Sequence, residues 1–106
     1  MKVTFVEVPL FTSLLPAYLN DEEYLEMQSY LMEMPEAGKL IRGSGGIRKI
    51  RWAKQGTGKS GGMRIIYYWA KAINQIYLLT LYGKNEKENI DAATLKRIAQ
   101  QLEALK

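Results

Sequence analysis

The chain has no cysteine and no histidine among its 106 residues. The first absence excludes disulfides, thiolate metal sites and a cysteine nucleophile. The second removes the commonest general acid/base, the commonest metal ligand and every Ser–His or Cys–His relay. Any chemistry must run on lysine, arginine, tyrosine, carboxylates or backbone amides. No apolar run is long enough to span a membrane, and the opening Met1-Lys-Val-Thr-Phe-Val6 lacks the apolar stretch of a signal peptide. The expectation is a cytoplasmic protein. A further absence is local: residues 37–85 contain neither aspartate nor glutamate.

That acid-free window holds ten cations: Lys39, Arg42, Arg48, Lys49, Arg51, Lys54, Lys59, Arg64, Lys71 and Lys84. Before it, Lys2 stands against seven acids; after it, four cations stand against four acids. The formal net charge of +4 therefore conceals a stretch of +10 beside one of −6. A basic face this concentrated calls for a polyanion, most simply a nucleic-acid backbone, although an acidic protein surface would also suit it.

The same window carries the strand signals. Residues 47–53, 63–70 and 76–82 are rich in β-branched and aromatic side chains and are separated by a Gly- and Lys-rich loop and a short turn. Three adjacent strands with short links pair as an antiparallel meander. Upstream, residues 2–7 suit an opening strand, and the apolar stretch 10–19 reads as a short helix broken at Pro16. Asn20 followed by Glu23 is a capping pair, opening a helix with Tyr24, Met27, Leu31 and Met34 on one stripe and Pro35 as its stop. Residues 37–46 are a Gly-rich connection. Asp91 caps a last helix carrying Leu95, Ile98, Leu102 and Leu105. The expected architecture, over residues 1–106 as one domain with one core, is α+β: a small twisted antiparallel sheet with helices packed on one face.

Alternation decides which side chains travel together. Lys49 and Arg51 share a face with Ile47 and Ala53, and Arg48 goes with Ile50 and Trp52. The all-apolar set Met63, Ile65, Tyr67 and Trp69 reads as the core side, leaving Arg64 on an open face with Lys49 and Arg51 if the register permits. Trp52, Trp69, Tyr67 and Tyr68 are candidates for stacking on bases, with the core the favoured place for most of them. The loop Ala53-Lys-Gln-Gly-Thr-Gly-Lys-Ser60 fits a loose Walker A pattern, but a strand rather than a helix follows it. It is better read as a basic hairpin loop that touches nucleic acid through Lys54 and Lys59.

Three segments carry a family resemblance: Gly45-Gly-Ile-Arg-Lys-Ile-Arg51, Gly62-Met-Arg-Ile-Ile-Tyr-Tyr68, and Tyr77-Leu-Leu-Thr-Leu-Tyr-Gly-Lys-Asn-Glu86. Together they resemble RelE/HigB-type toxins of bacterial toxin–antitoxin systems, and the early Asp21-Glu-Glu-Tyr24 helix and the long glycine-rich loop are similar to the HigB branch. The resemblance implies a RelE-like fold and a ribosome-dependent mRNA endonuclease, or mRNA interferase. Such a toxin enters the ribosomal A site, uses the message's own 2′-hydroxyl as nucleophile, and needs neither a metal nor another cofactor. On this likeness Lys49 activates the 2′-hydroxyl, Arg51 holds the scissile phosphate, Arg64 stabilises its developing charge, and Lys84 lies near a further basic position. Arg48, Lys54 and Lys59 would add contacts to the RNA. Some relatives place a Tyr or His near the start of the last helix; here residues 84–91 have neither, and Tyr82 is the nearest substitute.

The implied partners are the ribosome, mRNA and a cognate antitoxin, HigA-like with a helix-turn-helix domain, which carries the pair to operator DNA. Two rival readings keep the fold and change the function. A ParE-like DNA gyrase poison shares the architecture, but such proteins generally lack clustered strand cations. A non-catalytic nucleic-acid-binding module would keep the cations and lose the chemistry.

Overall fold

The opening of the chain is governed by Pro9 and Pro16. The structure, a computed structural model, describes residues 2–53, 62–86 and 90–104. Strand β1 (Thr4–Glu7) leads into helix α1 (Pro9–Leu14), where Pro9 occupies the first turn, in which no backbone N–H is needed. A single 3₁₀ turn, Leu15–Ala17, follows around Pro16. Helix α2 (Asp21–Glu33) begins at a complete capping box: the Asn20 side chain accepts from Glu23 N, and the Glu23 carboxylate accepts from Asn20 N, each at 2.8 Å. Met27 and Leu31 are fully buried, while Met34 lies just beyond the helix and is 52% exposed. Within the helix the expected stripe therefore ends at Leu31.

Next come β2 (Lys39–Leu40), β3 (Ile47–Ala53), β4 (Gly62–Ala70), β5 (Gln75–Gly83) and α3 (Ala92–Ala104). Asp91 Oδ1 accepts from Thr94 N at 2.8 Å and opens α3. The strands form one sheet in the order β1-β5-β4-β3-β2. The meander β3–β4–β5 is antiparallel as expected, and β2 joins its outer edge. Gly46, at φ +113°, adopts a backbone that favours glycine in the turn leading to β3. Among the described residues no helix is long and apolar enough to cross a membrane.

The α+β class stands, with two differences of detail. First, β1 runs parallel to β5, so the sheet is mixed rather than antiparallel throughout. The chain passes through α1, α2 and three more strands before β5, a connection long enough for a parallel pair. Second, helices cover both faces. Phe11, Met27 and Leu31 pack on Met63, Ile65, Tyr67 and Leu81 on one side. Leu95 and Ala99 of α3 pack on Ile47, Ile66, Tyr68 and Leu79 on the other. The expected single core is thus two clusters with the sheet between them. A bulge opposite Ile66 and Tyr67 adds Leu79 to β5. It lets that strand give Leu78 and Leu81 to the first cluster and Leu79 and Tyr82 to the second.

Candidate nucleic-acid interface

Strand register brings the cations together. Arg51 stands directly opposite Arg64, and Lys49 directly opposite Lys39. Residues paired this way share a face, and Lys49 and Arg51, two apart on β3, share it too. Four cations thus occupy one patch of the sheet, on the side that α3 covers only in part. Like charges directly opposite each other destabilise a sheet, as Arg51 and Arg64 are placed here. That arrangement is costly alone and favourable against an anion.

The patch lines an open groove of about 690 Å³. Lys39, Lys49, Arg51 and Arg64 supply its cationic wall, and Tyr30, Ala37, Ile50 and Trp52 the remainder. A smaller hollow of about 270 Å³ adjoins it, where Arg51 and Arg64 meet Lys84 beside Gly62 and Ala53. The Lys84 amide donates to Gly62 O at 3.1 Å, which extends the β4–β5 ladder to the base of this hollow. Residues 49 and 51 of β3, 64 of β4 and 84 beyond β5 therefore border two neighbouring depressions.

Two sets of bonds set the walls. Beyond β5, Glu86 Oε1 accepts from Gly83 N at 2.6 Å and from the Tyr18 hydroxyl at 2.5 Å. The Tyr18 bond, then the Gly83 amide, holds the Glu86 carboxyl below the usual carboxylate range. The same bond to Glu86, then burial, raises the Tyr18 hydroxyl. This clasp fixes the turn that carries Lys84 against the body of the protein. On the other side, the Tyr67 hydroxyl donates to Pro35 O at 2.8 Å and accepts from Gly38 N at 2.9 Å. Burial is the main cause that pushes Tyr67 up. A Cβ on Gly38 would lie 2.9 Å from the Tyr67 ring and 3.1 Å from Lys49 O, so only glycine lets this connection lie against β3. Lys39 follows immediately.

Arg48 departs from the expected set. Its side chain lies on the opposite face, where Nη1 donates to Gly38 O at 2.8 Å and Glu36 O at 3.1 Å. It fastens the same connection that Tyr67 fastens. Lys54 and Lys59, with the Walker-like loop, lie outside the described residues. Tyr82, directly across β4–β5 from Arg64, is 6% exposed and packs in the α3 cluster, which makes it a core residue. Sequence reasoning counted Lys39 among the cations but did not place it at the site. A two-residue strand carries no periodicity from which its register is readable. The pairing of Trp52 with Tyr30, at 5.5 Å between ring centroids, was also missed, because it joins a strand to a distant helix.

Comparison with known proteins agrees with this architecture. An isolated E. coli RelE toxin in crystal form is 19% identical, with 92% of this chain and 99% of that chain covered and a TM-score of 0.55. A mutant of the E. coli toxin RelE in the free state is 21% identical over the same shares, with a TM-score of 0.59. At these identities the likeness speaks for the fold. The sequence of residues 26–106 matches the family described as "RelE toxin of RelE / RelB toxin-antitoxin system". These matches do not distinguish a HigB branch, but they establish the broader group: the chain belongs to the RelE family of toxins.

Proposed function

We propose that the chain, acting as one domain, is a ribosome-dependent mRNA endonuclease that inhibits translation in the cytoplasm. The observation that supports this best is the convergence of Lys49, Arg51, Arg64 and Lys84 on two adjoining depressions. Transfer within RNA needs orientation and charge stabilisation more than a protein nucleophile. The message's 2′-oxygen bonds to phosphorus as the bond to the 5′-oxygen breaks, giving a 2′,3′-cyclic phosphate and a 5′-hydroxyl. Lys49 stands as the group that accepts the 2′-hydroxyl proton. Arg51 and Arg64 hold the phosphate and neutralise its added charge, and the Lys84 ammonium supplies a proton to the departing oxygen. In this reading the ribosome aligns the message. The family description also implies an antitoxin partner of the RelB kind; a HigA-like partner that binds operator DNA is the alternative suggested by the early helix and loop.

The test is a reconstituted translation reaction with message ends mapped by primer extension. Wild-type protein is expected to cut only when ribosomes are present, and Arg64→Ala to lose at least a hundredfold in rate, about 3 kcal/mol of transition-state stabilisation. Intact message with translation still running would overturn the reading, and DNA gyrase supercoiling assays would come next.

A further inference from the structure

We propose that Trp52 and Tyr30 form a stacking site for one unpaired RNA base, next to the phosphate held by the cations. The proposal rests on the RNA-cleaving reading above and names the part of the substrate that the rest of the groove receives. β2 pairs only with Arg48 and Lys49, so from Ile50 onward the outer edge of β3 has no strand partner among the described residues. The groove passes around this edge and takes side chains from both faces of the sheet. Arg51 belongs to one face and Trp52, the next residue, to the other. A nucleotide has matching geometry: its phosphate and its base diverge from one ribose.

Trp52 packs partly against the first core cluster and also lines both depressions. Tyr67 and Tyr68 are 0% and 4% exposed, whereas Tyr30 is 39% exposed and Trp52 is half-buried. Their rings are tilted by 54° rather than stacked in parallel, and both residues line the groove. Tyr30 comes from the last turns of α2, and Ala37, on the connection fastened by Tyr67 and Arg48, completes the wall. Flat aromatic surface beside a row of cations is the arrangement by which proteins hold single-stranded RNA, because every base offers a π face.

The experiment uses the Trp69→Phe protein, so that Trp52 is the one tryptophan that reports. A labelled single-stranded RNA oligonucleotide is titrated and followed by anisotropy, while Trp52 emission is read in parallel. An abasic oligonucleotide of equal length, with the same backbone charge, is the comparison. The expected result is quenching of Trp52 that saturates with binding, and affinity about five- to a hundredfold weaker for the abasic strand. Trp52→Ala should erase the difference between the two strands, and Trp52→Phe should restore most of it. Trp52 emission unchanged at saturation, or equal affinity for both strands in the wild type, overturns the stacking site. The wild-type comparison stands even where a variant folds poorly. Message cleavage with a silent Trp52 removes the stacking site alone; base-dependent quenching without cleavage removes the nuclease and keeps the stacking site.

Discussion

Replacing Tyr67 with phenylalanine keeps the ring and removes one oxygen, and that oxygen holds together the connection behind the cationic groove. It donates to Pro35 O and accepts from Gly38 N, at 2.8 and 2.9 Å. Tyr67 and Gly38 are both buried, so water does not replace the lost acceptor. A net hydrogen bond contributes about 1 kcal/mol, and a buried donor left unpaired costs about 1–3 kcal/mol. Tyr67→Phe is therefore expected to destabilise by about 2–3 kcal/mol, lowering the midpoint of thermal unfolding by roughly 10 °C for a domain of this size. Urea unfolding followed by circular dichroism measures it, with an unchanged slope as evidence that the folded state is intact. Tyr77→Phe is the control: its hydroxyl donates to Gln75 Oε1 in a half-exposed position, and a change of about 0.5 kcal/mol or less is expected. Burial raises the Tyr67 hydroxyl above its ordinary value of 10.0. Its contribution is thus present below that pH and is lost as pH rises through the higher folded value, so wild type and variant should converge only in strong alkali. A Tyr67→Phe protein as stable as the Tyr77 control would refute the pinning of residues 35–38 by this hydroxyl.

Two shorter predictions separate roles that composition alone treats as equal. Arg51→Ala should flatten the dependence of log affinity for single-stranded RNA on log salt by about 0.7, one phosphate contact. Arg48→Ala should leave that slope unchanged and lower stability by about 1–3 kcal/mol, because two backbone carbonyls lose their donor; equal slopes for the two variants would return Arg48 to the RNA surface. Glu86→Gln tests the clasp near Lys84. The native carboxyl is held below its ordinary value of 4.5, so its stabilisation is present above that pH and lost as pH falls toward the lower folded value. The midpoint difference between wild type and Glu86→Gln should be largest near neutrality and vanish in strong acid, and a difference independent of pH would count against the clasp.

The central meander was legible because its residues carry their own strand signal: β3 spans residues 47–53 as expected, and β4 and β5 each differ by a residue at their ends. The capping box at Asn20 and the cap at Asp91 were legible for the same local reason. What failed was non-local. The sequence Ile65-Ile66-Tyr67-Tyr68 is apolar on both faces of β4, which is the mark of a strand covered on both sides. Reading only the Met63 set as core left α3 on the wrong side of the sheet. The grouping of Lys49, Arg51 and Arg64 followed from alternation, yet their adjacency waited on a register that no single strand encodes. Lys39, Trp52 and Tyr30 depend on where a two-residue strand stops, and no periodicity reports that.

The register also predicts a conflict between stability and activity at the groove. Arg51 and Arg64 face each other across β3 and β4, and no acid occurs anywhere in residues 37–85. Arg51→Glu would turn this repulsive pair into an attractive one at the same separation. Cross-strand charge pairs are worth about 0.2–1 kcal/mol, and both the removal of repulsion and the gain of attraction act in one direction. The variant is therefore expected to be more stable than the wild type in low salt by up to about 1 kcal/mol, with the gain shrinking as salt screens exposed charges. It should also lose RNA binding, because a carboxylate now stands where a phosphate would lie. Urea unfolding at two salt concentrations, alongside RNA anisotropy, measures both effects. A protein that loses affinity and also loses stability would mean that the Arg51–Arg64 pair is not strained, and the inference from paired like charges to an anionic ligand would fail with it.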